Sequence, residues 1–195
     1  MKRFDFSYGL DPSEFYYCYS PQAKVCGVFE RETDCIKNRY NAEVGDYEYT
    51  TAMLKEKLTV GDRITLVCDF ERRGAPLVVF TDELITKGGK PYYGEHFEVV
   101  TFEEGVNVWH NIPTGIDDPK RALKTNKLHF ESIPTPNKAR VTLSVVFREG
   151  GIDVMMNGKE FSLDIEGMPR EFAFGITACE GINRLYSLTV EREGV

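Results

Sequence analysis

The sequence comprises 195 residues, of which 42% are hydrophobic, 12% aromatic and 28% charged. These proportions are those of globular chains and exclude the disordered and collagen-like classes. The formal net charge is −7 and the basic residues are scattered. This argues against a nucleic-acid partner, which is usually recognised by a basic patch or stripe. The densest basic group is short and predicts a solvated loop; its members are Lys120, Arg121, Lys124 and Lys127.

Membrane and export signals are not evident in the sequence. No run of about 18 apolar residues occurs, so we expect no membrane partner and no spanning segment. No apolar stretch follows the Met-Lys-Arg start, so we expect no signal peptide. The five cysteines are irregularly spaced and include no Cys-x-x-Cys pair, which predicts neither a disulfide framework nor a structural zinc site. Such a set of thiols is typical of the cytoplasm, which is the predicted location.

In chain order, the first half of the sequence predicts short strands separated by turns. The aromatic-rich segments 3–8 and 15–19 predict edge strands. Apolar and alternating runs then predict strands at residues 63–70, 77–81, 96–102 and 107–110. Residues 112–138 hold four of the nine prolines and predict one long irregular surface crossover.

The last third carries a clearer pattern. Residues 140–148 alternate with a period of two, which is typical of a half-buried strand. Gly150-Gly151 and Asn157-Gly158 mark turns, and Asn-Gly between alternating runs predicts a type I′ hairpin, because that turn needs positive φ at both central residues. Residues 140–166 therefore predict a three-strand meander. Further strands are predicted at 171–179 and 185–191.

This C-terminal pattern resembles the concanavalin A-like lectin and glucanase superfamily, including its laminin-G-like modules. The similarity lies mainly in residues 140–190, where strand, turn, strand, Asn157-Gly158 and closing strands follow one another. With the frequent turn signals, it predicts an all-β fold, a two-sheet antiparallel β-sandwich of the jelly-roll kind, formed as one domain by residues 1–195. The resemblance implies a sugar-related role. The Glu-x-Asp-x-x-Glu signature of the laminarinase-like branch is absent, so it does not imply inherited catalysis.

Two neighbouring predicted strands supply a candidate carbohydrate site. Alternation places His96 and Glu98 on one face of the first strand. It places Asn107, Trp109 and Asn111 on one face of the second. An aromatic ring can stack on the apolar face of a sugar while polar groups pair its hydroxyls. The sequence thus predicts a non-catalytic glycan-binding protein, with the alternative that Trp109 caps the core.

A second polar group precedes the last strand. Glu180, Arg184 and Tyr186 lie in or beside a tight turn, and loops at the end of a sandwich are common binding positions. We therefore expect Arg184 and Tyr186 at the rim of the site, the alternative being a polar hairpin with Arg184 paired to Glu180. Glu98 and Glu180 are candidate catalytic carboxylates of a glycoside hydrolase, whose chemistry depends on a separation that sequence cannot supply. A protein-interaction or structural domain without a small ligand is the third reading.

No cofactor is predicted. Calcium is a frequent structural ion in the superfamily that the sequence resembles, and Asp117-Asp118 and Asp82-Glu83 offer oxygen ligands. Neither pair has the spacing of an EF-hand loop, which favours solvated loops at both places.

Overall fold

The computed structural model describes residues 1–21, 25–40, 48–118 and 120–193. Within these ranges the chain forms β-strands and one 3-10 turn, Phe6–Tyr8, and contains no helix long and apolar enough to cross a membrane. The strands are β1 (Lys2–Asp5), β2 (Phe15–Cys18), β3 (Val25–Cys26), β4 (Phe29–Arg31), β5 (Ile36–Asn38), β6 (Glu48–Leu54), β7 (Leu58–Thr59), β8 (Arg63–Glu71), β9 (Ala75–Thr81), β10 (Leu84–Lys87), β11 (Lys90–Tyr93), β12 (His96–Phe102), β13 (Gly105–Pro113), β14 (Leu123–Ser132), β15 (Val141–Arg148), β16 (Gly151–Met156), β17 (Lys159–Asp164), β18 (Glu171–Cys179) and β19 (Ile182–Glu191).

These strands form two large sheets and one separate hairpin. The eight-stranded sheet has the order β17-β16-β15-β8-β19-β5-β4, with β1 also paired to β19. The nine-stranded sheet has the order β14-β13-β12-β9-β18-β6-β2, with β3 on β6 and β7 on β18. Strands β10 and β11 form the hairpin, and only the short β3–β6 pairing is parallel among the described ladders. Consecutive large strands repeatedly switch sheets, as at β8 to β9 and β18 to β19.

The main core lies between the two sheets. Phe80 of the nine-stranded sheet and Phe147 of the eight-stranded sheet meet edge to face, with ring centres 5.2 Å apart. Phe172 packs 4.6 Å from Phe147, and all three rings are fully buried. Burying one such side chain contributes roughly 1.5–3 kcal/mol, so this inter-sheet contact secures the stacking of the layers.

A second apolar cluster covers part of the outer face of the nine-stranded sheet. Leu77 and Val79 of β9 point into it, while their neighbours point into the main core. Tyr93, from the β10–β11 hairpin, lies on this cluster and is fully buried. Strand β9 is consequently buried on both faces, which explains why its sequence is a continuous apolar run without alternation.

The predicted fold class and meander are confirmed. The two-sheet antiparallel sandwich is present, and β15, β16 and β17 pair consecutively within residues 140–166. At the β16–β17 turn, φ is 51° at Asn157 and 85° at Gly158. Positive φ at both residues is the requirement of the type I′ turn that the Asn-Gly pair predicted.

The prediction for residues 112–138 is wrong in one respect. This segment contains the ten-residue strand β14, and Lys124 and Lys127 lie on it instead of in a solvated loop. Strand β14 is the edge of its sheet and is largely exposed on both faces. An edge strand with so little burial shows no two-residue hydrophobic rhythm, and lysine is a residue that edge strands commonly carry.

Candidate functional site

A pocket of 760 Å³ opens on the outer face of the nine-stranded sheet, beside the second apolar cluster. Strands β12, β13 and β14 supply one side of it, and the β8–β9 and β18–β19 turns supply the other. Five of the residues singled out in the sequence line this pocket: Glu98, Asn107, Trp109, Asn111 and Glu180.

The register between β12 and β13 brings these side chains together. Glu98 lies directly opposite Trp109, and His96 lies opposite Asn111. Val100 lies opposite Asn107, which is the next pair on the same face of the sheet. Directly opposed side chains on one face of an antiparallel pair start about 5 Å apart. The half-buried indole of Trp109 therefore has a carboxylate beside it, and amides precede and follow it along β13.

A β-bulge then adds two further side chains. The pairing of β13 with β14 shifts between Val108 and Trp109, so Trp109 faces Lys127 whereas Asn107 faces Phe130. Lys127 and Phe130 are three residues apart and would point to opposite faces of a regular strand. The extra residue at the bulge turns both toward the pocket face. The Lys127 ammonium lies 4.9 Å from the centre of the Trp109 ring and 5.9 Å from that of Phe130.

Beside Trp109 on the same sheet face lies a buried polar group formed by His96, Glu98 and Asn111, with exposures of 0%, 6% and 3%. His96 Nδ1 is 2.7 Å from the Gly94 carbonyl oxygen, so Nδ1 carries the proton and donates it. Nε2 is 3.3 Å from both Glu98 Oε1 and Asn111 Nδ2. In a neutral ring Nε2 accepts from the Asn111 amide, and a hydrogen bond with Glu98 needs one more proton on either partner.

Two amide oxygens at the pocket have no hydrogen-bond partner within the described part of the chain. They are the buried Oδ1 atoms of Asn107 and Asn111. Buried polar atoms of folded proteins are nearly always paired, and each exception calls for an explanation. Here both side chains line an open pocket, where a ligand or solvent can supply the donor.

The opposite side of the pocket is formed by two turns with unusual backbone geometry. Arg73 and Glu180 line the pocket and have φ values of 65° and 53°. The left-handed conformation of a residue with a side chain costs roughly 1–3 kcal/mol and persists only where its surroundings fix it. Asn183 Nδ2 donates to the carbonyl oxygens of Cys179 and Glu180, at 3.1 and 3.2 Å, and holds the second turn.

The two turns also contact each other through backbone. An added Cβ on Gly181 would lie 2.2 Å from the carbonyl oxygen of Arg72 and 2.4 Å from the nitrogen of Gly74. Only glycine permits this approach. The position of Glu180 at the pocket is therefore fixed by a close contact between turns that are distant in sequence.

The pocket lining is acidic. It includes four carboxylates and a single guanidinium, from Glu98, Glu103, Glu104, Glu180 and Arg73 respectively. Burial is the main cause that raises the pKa of the Tyr49 phenol, also in the lining, well above its ordinary value. Tyr49 therefore stays neutral and leaves the charge of the lining to the acids and the arginine.

No protein-family model matches the sequence, and no curated protein resembles it significantly. Solved structures do share its architecture. A carbohydrate-binding module, CBM66 of Bacillus subtilis, superposes with a TM-score of 0.64 at 9% identity, over 91% of this chain and 95% of that one. A structure reported with the endo-acting O-glycanases of prominent human gut bacteria gives 0.66 at 12% identity, over 98% of both chains. A family 16 endo-glucanase from Bacteroides ovatus gives 0.60 at 9%, over 97% and 99%. The chain has the concanavalin A-like jelly-roll fold.

In this jelly roll, Arg184 and Tyr186 lie away from the pocket, contrary to the expectation that they form its rim. Both belong to β19 of the eight-stranded sheet. Arg184 Nη1 donates to Asp69 at 3.1 Å and Nη2 to Glu71 at 2.5 Å, and the Tyr186 hydroxyl donates to Asp69 at 2.5 Å. The carboxylates that pair with Arg184 are those of Asp69, Glu71 and, at 3.5 Å, Glu32, whereas the alternative expected a pair with Glu180. Sequence proximity to the Glu180 turn was misleading because the chain changes sheets there.

Several pocket residues were not proposed as site residues from the sequence, notably Arg73 and Phe102. Lys127, whose ammonium lies over the Trp109 and Phe130 rings, was expected in a solvated loop. Lys127 and Phe130 share a face only through the bulge, which local periodicity does not reveal. The Arg72-Arg73-Gly74 turn did carry a signal, since glycine after two charged residues between apolar runs marks a tight turn.

The jelly roll contains no group of three or more His, Cys, Asp or Glu side chains able to hold a metal ion among residues 1–21, 25–40, 48–118 and 120–193. Of the calcium candidates, Asp118 Oδ1 accepts from the backbone of Lys120, and Glu83 Oε2 accepts from that of Glu95. Both side chains thus accept hydrogen bonds from the backbone.

Proposed function

We propose that this jelly roll binds a carbohydrate in the pocket of its nine-stranded sheet. The observation that carries the proposal is the position of Trp109, half-buried and facing the pocket, with Glu98 directly opposite. Asn107 and Asn111 flank it with amide oxygens that have no partner within the described ranges. A flat apolar ring beside hydrogen-bonding groups suits a pyranose, which has an apolar C–H face and a polar rim. Carbohydrate binding or cleavage is also what the names of the similar folds describe.

The chain offers a direct assay, because Trp109 is its single tryptophan. A glycan array identifies candidate ligands, and a titration that follows tryptophan emission then reports on the pocket itself. We expect saturable changes in emission with glycans that the array selects. An array without binders, or binders that leave the emission unchanged, would contradict the proposal.

A second candidate function is glycoside hydrolysis, favoured by a specific observation. Glu98 is buried beside His96, and three other carboxylates line the same pocket. Hydrolysis by a carboxylate pair needs separations of about 5–5.5 Å or about 6.5–9.5 Å. Release of reducing ends from array-selected glycans, lost in Glu98→Gln while the emission titration persists, would establish turnover. Binding without any release by the unaltered protein would leave recognition as the function.

We also propose a reducing location, the cytoplasm, and neither nucleic acid nor membrane as partner. The cysteines form no disulfide within the described part of the chain. Burial, as the main cause, raises the pKa of Cys18, Cys35 and Cys68 to about 12. Free thiols are the ordinary state of cysteine in the cytosol, and the net charge of −7 disfavours polyanionic surfaces.

A further inference from the structure

The polar atoms of the pocket are dominated by hydrogen-bond acceptors. Ionised carboxylates only accept hydrogen bonds, and the lining contains four carboxylates, those of Glu98, Glu103, Glu104 and Glu180. Against them stand Arg73 in the lining and Lys127 over the indole. With all acids ionised, four negative and two positive charges leave a net charge of −2. A ligand for this pocket must therefore supply hydrogen-bond donors, and its own charge must be compatible with a negative electrostatic potential.

Asn111 provides a second and independent indication. Its side chain is 3% exposed and lines the pocket, while its Oδ1 has no hydrogen-bond partner in the described part of the chain. Its Nδ2 is held 3.3 Å from His96 Nε2. Since His96 Nδ1 donates to Gly94, a neutral ring uses Nε2 to accept from Asn111, which directs Oδ1 away from the histidine. This buried acceptor therefore needs a donor that the described chain does not supply.

Glu98 also needs a donor as long as His96 is neutral. It is 94% buried, and its contact with His96 is long, at 3.3 Å. When His96 is neutral, the Nε2 lone pair and the carboxylate face each other without a proton between them. A donor that enters from the pocket would satisfy Glu98 and Asn111 together, because both belong to the same buried group.

We propose that the ligand is an amino sugar with a free ammonium group, that is, a glycan containing de-N-acetylated hexosamine. This inference rests on the proposed carbohydrate function and names the substrate class. An ammonium supplies three donors and one positive charge, whereas a hydroxyl supplies one donor and an N-acetyl group one donor and an extra acceptor. Charge-assisted hydrogen bonds to a carboxylate are about twice as strong as neutral ones. Sulfated and uronic glycans would meet the carboxylates as like charges.

The contact between Lys127 and Trp109 supports this assignment. A lysine ammonium already lies over the indole ring, 4.9 Å from its centre. The Trp109 and Phe130 rings that attract the Lys127 ammonium can attract the ammonium of a ligand in the same way. Lys127 is exposed and sits on an edge strand, so its side chain can withdraw when a ligand enters.

Three matched probes test the inference: β-1,4-linked oligomers of glucosamine, of N-acetylglucosamine and of glucose, equal in length. The same three forms of galactose-configured oligomers complete the set. Titrations followed by Trp109 emission are run at low and at high salt. We expect the free amine of at least one series to bind about tenfold or more tightly than its acetylated and hydroxyl counterparts. We expect only the amine to weaken as salt increases.

Variants locate the effect. Glu98→Gln should abolish the preference for the amine, and Glu160→Gln, an identical charge change on exposed β17 of the other sheet, should preserve it. Glu104→Gln alters an exposed lining residue and should reduce the preference about threefold even if Glu98→Gln fails to fold.

The outcomes separate this inference from the proposed function. Equal or tighter binding of acetylated or neutral oligomers overturns the amino-sugar assignment and leaves carbohydrate binding intact. Absence of binding by every amine overturns it as well, and the proposed function then depends on the glycan array alone. An amine preference that survives Glu98→Gln and Glu104→Gln would also contradict it, since the acids would not be responsible.

Discussion

Lys127 lies across β13–β14 from Trp109 and places its ammonium 4.9 Å from the centre of the indole ring. The lysine therefore covers one face of the ring on which we propose that a sugar stacks. Any ligand that uses this face must displace the lysine, so the residue sets part of the cost of binding.

Lys127→Ala should expose the indole. A cation–π contact at an exposed site contributes about 0.5–1 kcal/mol, so neutral sugars should bind roughly two- to fivefold more tightly, with a similarly small loss of stability. The matched control is Lys124→Ala on the same strand, since Lys124 pairs with Ile112 and points to the opposite face. Dissociation constants from emission titrations check the prediction, and weaker binding by Lys127→Ala would contradict it.

Trp109→Ala should abolish glycan binding and leave the fold intact. The indole is half-buried and packs on the outer cluster, not in the core between the sheets. We expect a loss of affinity of at least tenfold and a loss of unfolding free energy of about 1–2 kcal/mol. Because this variant has no tryptophan, calorimetry measures both quantities. Trp109→Phe should retain most of the affinity, and collapse of the fold in Trp109→Ala would show that the ring is structural.

Gly181→Ala should destabilise the protein through the contact between the two pocket turns. The new methyl group would lie 2.2 Å from a backbone oxygen of Arg72, and forced overpacking costs roughly 1–3 kcal/mol. The control is Gly150→Ala. Gly150 has a φ of 70°, but a Cβ added there would meet no atom within 4 Å, so only backbone strain of about 1 kcal/mol is expected. Urea unfolding compares the two. Equal losses would show that the close contact is not the cause.

The ion cluster around Arg184 predicts a dependence of stability on pH. The hydrogen bond from Arg184 is the main cause that lowers the pKa of the Glu71 carboxyl below its ordinary value. A carboxyl whose pKa is lower in the folded state stabilises the fold above its unfolded pKa of about 4.3. That contribution is lost as the pH falls through the lowered folded value.

Arg184→Met should therefore destabilise the protein at pH 7 by about 2 kcal/mol, since it leaves the buried Asp69 and the half-buried Glu71 without their common partner. The difference from the unaltered protein should shrink below about pH 4. Arg170→Met, which removes an exposed pair with Glu149, should cost less than about 0.5 kcal/mol. Urea midpoints across this pH range provide the measurement, and a gap that stays constant down to pH 3 would refute the assignment.

The cysteines predict a large contrast in thiol reactivity. Cys18, Cys35 and Cys68 have pKa values raised to about 12, chiefly by burial, so few thiolates exist at pH 8. A colorimetric thiol reagent should find far fewer than five reactive groups in the folded protein, with the half-buried Cys26 the first to react. In guanidinium all five should react. A count below five in the unfolded chain would reveal a disulfide and weigh against a reducing location.

Sequence alternation was informative for β12 and β13. It predicted that His96 and Glu98 share a face of β12, and that Asn107, Trp109 and Asn111 share a face of β13. The β12–β13 register brings these two groups together on one face of the sheet. It failed for β14, which is exposed on both faces and has no hydrophobic rhythm. It also misplaced Arg184 and Tyr186, because position in the chain does not tell which sheet a strand joins.

The sequence by itself determined the layered β architecture and the Asn157-Gly158 hairpin, since strand period and turn conformation depend on neighbouring residues. Only the tertiary structure decided that Lys127 and Phe130 flank Trp109, that Asn111 Oδ1 faces the pocket without a partner in the described chain, and that the turns at Arg73 and Glu180 meet. These features arise from pairing between distant strands. The register of such pairs is set by packing over the whole sheet, which no local stretch of sequence specifies.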